Sequence, residues 1–130
     1  MQVLLVDDHE AIREELRMLL AHETDIEVGG SVGTAEEAMD AVGLLHPDVV
    51  VMDLMLPGMG GIEATRLIHR DHPATRIVAL SNHSGRKLVQ AVLEAGALGY
   101  VSKAHADEEM VSALRAVHAG RQYISRSVDG

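Results

Sequence analysis

Cysteine is absent from the 130-residue chain, which excludes disulfides, thiolate metal sites and thiol nucleophiles. Tryptophan and phenylalanine are absent too. With only Tyr100 and Tyr123 as aromatics, the core must be built from Val, Leu, Ile, Ala and Met, and binding by stacked aromatics is weak. Cations are scarce: 11 Lys and Arg against 20 Asp and Glu leave a formal net charge of −9, which disfavours a polyanion partner, because nucleic-acid affinity depends on neutralising phosphates. Direct nucleic-acid contact by this segment is therefore not expected. No apolar run approaches the roughly 20 residues of a membrane span. The chain enters a strand pattern at once (QVLLV), without the basic and apolar regions of a signal peptide. A cytoplasmic location without membrane association is the expectation.

What is present is an alternation. Short apolar runs at residues 3–6, 26–32, 49–52, 77–80 and 98–101 are separated by stretches of helical period, a pattern that argues for βαβ units on a parallel sheet. Ile12, Leu16, Leu19 and Leu20 form one stripe; Ala35, Ala38, Val42 and Leu45 form a second, with Thr34 as its N-cap and Pro47 as its stop. A third helix runs from about residue 61 to 72. A fourth, from about 85 to 95, carries Leu88, Val89, Val92 and Leu93, with Gly96 as C-terminal cap. The fifth carries Met110, Val111, Leu114 and Val117, with Asp107, Glu108 and Glu109 where the helix dipole favours negative charge, and Gly120 ends it. Residues 1–120 thus form one domain. Residues 121–130 are a tail whose Tyr123 and Ile124 are able to dock, with 125–130 the start of a linker.

The strand ends carry the chemistry. Asp7 and Asp8 close VLLVDD, Asp53 closes VVVMD and Lys103 closes GYVSK. In a parallel sheet these converge at the switch-point edge, where such folds bind ligands. Three carboxylates there repel one another unless a cation joins them, so the cluster points to a divalent metal and a phosphoryl group. Mg²⁺ suits Asp8 directly, Asp7 through water and Asp53 from the neighbouring strand, because it takes few carboxylates and keeps several waters. Taken singly, Asp7-Asp8 is equally a helix cap, Asp53 a loop carboxylate and Lys103 a solvated lysine. Their joint placement decides for the site. Ser81 adds a hydroxyl at the end of IVALS that is free to donate to a phosphoryl oxygen on Asp53 if Ser84 caps the fourth helix.

VLLVDDHEAIRE, VVVMDLMLPGMGGIEA, IVALS and GALGYVSK, in that order and spacing, resemble the receiver domain of two-component response regulators over nearly the whole chain. The resemblance implies a flavodoxin-like (βα)5 α/β fold with a five-stranded parallel sheet in the order 2-1-3-4-5. It implies Asp53 as phosphoacceptor, fed by a phosphohistidine on a sensor histidine kinase. Asp7 and Asp8 would hold Mg²⁺ with the backbone carbonyl of Met55, Lys103 would pair with the phosphoryl oxygens, and Ser81 and Tyr100 would be the switch residues. In the family the aromatic turns inward and repacks the face of the fourth helix, fifth strand and fifth helix. Met55 and His83, two positions after Asp53 and Ser81, would tune dephosphorylation, with Met55 screening water. Such a protein catalyses only its own phosphorylation and dephosphorylation. HPDVVVMDLMLPGMGGIEATR, EAGALGYVSKA and AGRQYIS are similar to the NarL/FixJ group, which implies a C-terminal LuxR-type helix-turn-helix output and transcriptional control. Two departures are Ala104 after Lys103, where proline with a cis bond is common, and Gly60 in place of an acidic or amide residue.

Competing readings are weaker. A flavin domain of this fold class wants a phosphate cradle after the first strand, where Asp7-Asp8-His9-Glu10 would repel phosphate. An aspartyl phosphatase resembles a D-x-D pattern with a cap domain. A receiver-like module that works without phosphorylation is the remaining alternative. His69 and His72 share a helix face without a third ligand for a closed zinc site. A phosphorylation-dependent homodimer through the fourth and fifth helices is an open expectation, although Gly85, Arg86, Lys87 and Gln90 form no hydrophobic interface.

Overall fold

Six short strands and five helices follow one another in a computed structural model that describes residues 1–83 and 85–128. They are β1 (Gln2–Val6), α1 (Glu10–Leu20), β2 (Glu27–Val32), α2 (Ala35–Leu45), β3 (Val49–Asp53), α3 (Gly61–Asp71), β4 (Arg76–Ser81), α4 (Arg86–Ala95), β5 (Gly99–Ser102), α5 (Ala106–His118) and β6 (Tyr123–Ile124), with a 3-10 turn over Lys103–His105 between β5 and α5. All pairings are parallel, in the order β2-β1-β3-β4-β5-β6.

The expected order 2-1-3-4-5 is present, but the expectation of five strands is corrected to six. Tyr123 N–H donates to the Leu98 carbonyl at 3.2 Å and Ser125 N–H to the Tyr100 carbonyl at 2.8 Å, so the tail covers what would be a bare edge of β5. Two residues are too few for strand periodicity to register.

Strand alternation divides the core into two layers. Leu4, Val6, Val50, Met52, Ile77, Ala79 and Tyr100 face Val42 of α2, Ile68 of α3 and Val92 of α4. Val3, Leu5, Val51, Val78, Leu80 and Val101 face Leu16 and Leu20 of α1 and Met110, Leu114 and Val117 of α5. Burial on both sides is why β1 and β3 are continuous hydrophobic runs.

Local signals set the helix ends. Thr34 Oγ1 accepts the Glu37 N–H at 3.1 Å, while Glu37 Oε1 takes the Gly33 N–H, a reciprocal box at the start of α2. Gly96 follows α4 at φ 120°, in a conformation side chains avoid, with the His69 ring packed where a Cβ would sit. That packing gives His69 a structural place. The expectation that Ser84 caps α4 lies outside the described residues; Gly85 holds the N-cap position. None of the described peptide bonds is cis, so the Lys103-Ala104 link is trans.

Candidate functional site

β1 and β3 are neighbours, yet the helices that follow them lie on opposite faces of the sheet, so a crevice opens at their C-terminal ends. Asp7 is the first residue past β1, Asp53 the last of β3 and Ser81 the last of β4. Lys103 lies one residue past β5, in the 3-10 turn rather than in the strand as expected. The turn points its side chain back across the sheet end.

Asp7 and Asp53 are each 1% exposed. Lys103 Nζ bridges them, 3.1 Å from Asp7 Oδ2 and 3.3 Å from Asp53 Oδ1. Met55 N–H donates to Asp53 Oδ1 at 3.1 Å, and His9 N–H to Asp7 Oδ1 at 2.9 Å. Among the described residues three buried side-chain oxygens lack a hydrogen-bond partner: Asp7 Oδ2, Asp53 Oδ2 and Thr65 Oγ1. Two of the three are therefore in this crevice. Lys103 approaches Asp7 Oδ2 closely enough to pair in charge but off the line of a hydrogen bond. Buried carboxylate oxygens left in that condition are costly unless a cation completes them.

The electrostatics agree. Burial pushes the Asp53 carboxyl above its ordinary value; the Met55 N–H opposes this, the Asp7 charge adds to it, and Lys103 opposes it. Burial works against the Lys103 charge, but Asp7 and Asp53 outweigh it and the ammonium is held above its ordinary value. One ligand atom from each of Asp7, Asp8, His9 and Asp53 falls within 4.8 Å of the others. An oxygen-rich donor set with exposed Asp8 on its open side fits a hard divalent cation such as Mg²⁺.

Asp7 and Asp8 are not helix caps: His9 is the N-cap of α1, without a side-chain cap bond. His9 was not among the expected site residues, although its Nδ1 lies 3.2 Å from both Asp7 Oδ1 and Asp8 Oδ1. Arg13, which lies outside the apolar stripe of α1, donates to the Asp7 carbonyl at 2.6 Å and so props the loop. Its position one turn into the helix was the available signal, since such a residue lies over the preceding loop.

Ser81 is fully buried, and its Oγ accepts the His83 N–H at 3.1 Å. The hydroxyl is thus engaged locally rather than free, but its own proton remains to be donated. Tyr100 is also fully buried, and its hydroxyl donates to the His83 carbonyl. Burial pushes its phenol up, with the neighbouring Ser81 hydroxyl opposing. The Tyr100 side chain is therefore held inside the fold rather than half in water. Met55 is 60% exposed at the crevice mouth, and His83 is exposed. A groove beside Lys103 is lined by His9, Ile12, Asn82 and Ala104.

With this geometry in place, comparison with known proteins is decisive: residues 3–115 match the response regulator receiver domain model. The chain belongs to the response regulator receiver domain family. The receiver is 42% identical over 126 residues to the response regulator UvrY of Escherichia coli (strain K12), covering 97% of this chain and 58% of UvrY. The chain thus spans under two thirds of that relative's length. Among solved structures it is similar to a two-component response regulator, LuxR family, from Aurantimonas sp. SI85-9A1, with TM-score 0.94 and 41% identity over 98% of this chain and 91% of that one. It is also similar to the isolated REC domain of RcsB from Salmonella enterica serovar Typhimurium in the presence of phosphomimetic BeF3⁻, with TM-score 0.91 and 27% identity over 98% of this chain and 95% of that one. No helix among the described residues is long and apolar enough to cross a membrane.

Proposed function

We propose that this receiver accepts a phosphoryl group on Asp53 from a phosphohistidine of a sensor histidine kinase. The observation that carries this reading is the pair of buried, hydrogen-bond-free oxygens, Asp7 Oδ2 and Asp53 Oδ2, with a lysine between their carboxylates. Asp8, Asp53, the Met55 carbonyl and, through water, Asp7 would hold Mg²⁺. Bound there, the ion would offset the charge of the transferring group and orient its oxygens.

The chain's own residues do the rest. An Asp53 carboxylate oxygen forms the O–P bond as the donor's N–P bond breaks, and the imidazole nitrogen leaves with the electron pair. Burial keeps that carboxylate more basic than one in water. Lys103, held charged by the carboxylates it touches, follows the phosphoryl oxygens. The Ser81 proton is donated to one of them, and the pull reaches Tyr100 through the His83 turn that both side chains touch. Met55 and His83 at the rim set how readily water reaches the acyl phosphate. The chain acts only on its own phosphorylation state in this reading. A DNA-binding helix-turn-helix would carry the transcriptional output, consistent with the acidity of this segment, and residues 1–120 and 121–130 would be receiver and linker start.

Incubation with Mg²⁺ and acetyl phosphate should add one alkali-labile phosphoryl group by intact mass, and Asp53→Asn should add none. Absence of the adduct in the parent chain would overturn the proposal in favour of a phosphorylation-independent module.

A further inference from the structure

Among the described residues, Glu109 is the buried charged residue that the phosphoryl chemistry does not use. It lies in the first turn of α5 at 3% exposure, and both its oxygens point to the tail. Tyr123 Oη donates to Oε1 at 2.7 Å, Ser125 Oγ to Oε2 at 3.0 Å and the Arg126 N–H to Oε1 at 3.4 Å. A carboxylate buried on a helix and satisfied entirely by one distant ten-residue segment is not a dipole acid. It is a receptor for that segment.

The segment it holds is bonded to the switch strand. Ser125 donates its N–H to the carbonyl of Tyr100, and its side chain to Glu109, so one residue ties β5 to α5. Ile124 and Val128 pack on the layer that contains Tyr100, while Tyr123 packs on the opposite layer, so the tail straddles the sheet edge. β5 is four residues long. One residue past its C-terminal end Lys103 reaches Asp53, within it Tyr100 reaches His83, and along its outer edge it carries the tail.

We propose that Glu109, Tyr123 and Ser125 form an exit clamp that couples docking of the chain leaving the receiver to occupancy of the phosphoryl site, through β5. This rests on the phosphoryl-acceptor reading and deepens it by assigning the route from the site to whatever follows the tail. Tail docking holds β5 with Tyr100 inside, and an inward Tyr100 is the arrangement that a phosphoryl group on Asp53 would favour. Coupling of this kind is reciprocal: occupancy tightens the tail, and loosening the tail weakens occupancy.

Hydrogen exchange on the 130-residue chain tests it, with Mg²⁺ and trifluoroberyllate as the phosphoryl probe. The Tyr123 and Ser125 amides should exchange about fivefold or more slowly with the probe bound. Tyr123→Phe with Ser125→Ala should speed those amides on the order of tenfold and weaken probe affinity by about fivefold. A tail that merely covers an edge would give the first effect of the variant and leave probe affinity unchanged, which would overturn the clamp. Protection around residues 53–55 with no change at Tyr123 and Ser125 would overturn it as well, while sparing the functional proposal. No protection at either place would overturn the functional proposal itself, and the clamp with it. Should the double variant disturb the β1 and β3 amides, Glu109→Gln replaces it, with the same expected direction.

Discussion

Asp53 is a residue whose fold works against its charge. Its carboxyl titrates above its ordinary value of 3.8 because it is buried, so the folded state favours the protonated form and ionisation of this group subtracts from stability as pH rises. Asp53→Asn should therefore stabilise the metal-free receiver by on the order of 1 kcal/mol, a few degrees in Tm. Mg²⁺ should raise the Tm of the parent chain and leave that of the variant nearly unmoved, as thermal melts with and without the ion would report. Glu109 has the opposite sign. Burial raises its carboxyl, but the Tyr123 and Ser125 hydroxyls and the Arg126 N–H together hold it below its ordinary value of 4.5. Its contribution is fully present above pH 4.5 and drains as pH falls through the lower folded value. Glu109→Gln should flatten the acid limb of a stability–pH curve measured by urea unfolding, with no change in slope near neutrality. Burial, and after it the Glu109 carboxylate, push the Tyr123 phenol up to about 12. At this scale the carboxylates, lysine and serine of the site were legible from strand ends. Glu109 was read as a first-turn acid, because burial of a helix residue depends on which segment later lies across it.

The elements were legible to the extent that their periods were long. α1 through α5 each show an apolar stripe over three turns, and Thr34 and Gly96 sit at the ends they were expected to cap. Beyond the reach of period or propensity was how closely elements approach. Gly61 opens α3 directly against β3: a Cβ there would meet the Asp53 carbonyl oxygen at 2.2 Å and Leu54 Cα at 2.7 Å. Both are backbone, so neither yields by a rotamer change. Gly61→Ala should cost about 1–3 kcal/mol, measured by urea denaturation, and should impair acetyl phosphate labelling because the strand it displaces carries Asp53. The 3-10 turn after β5 is the same kind of outcome. It moves Lys103 off the strand, and three residues give no periodic signal.

For the whole molecule, charge and surface composition argue against self-association. Among the described residues the exposed large apolar side chains are Met18, Leu44, Leu45 and Met55, none of them on α4 or α5. With a net charge of −9 and, among the described residues, no exposed large apolar side chain on those helices, the 130-residue chain should sediment as a monomer, with and without trifluoroberyllate. A dimer boundary in the presence of the probe would show that the polar α4 and α5 surfaces suffice. The α/β class and the convergence of Asp7, Asp8, Asp53 and Ser81 at one sheet edge were legible in the sequence alone, because doubly buried strands and amphipathic helices announce themselves locally, whereas the order of the first five strands was expected from the resemblance to receiver domains. The sixth strand, Lys103 bridging two carboxylates from a turn, Arg13 propping the Asp7 loop and Glu109 holding the tail were decided by tertiary structure. The strand and the Glu109 clasp depend on contacts between residues far apart in the chain, and the Lys103 bridge on where a three-residue turn points a side chain, distances that no local pattern encodes; the Arg13 contact spans only six residues, but apolar periodicity is silent on where a polar side chain bonds.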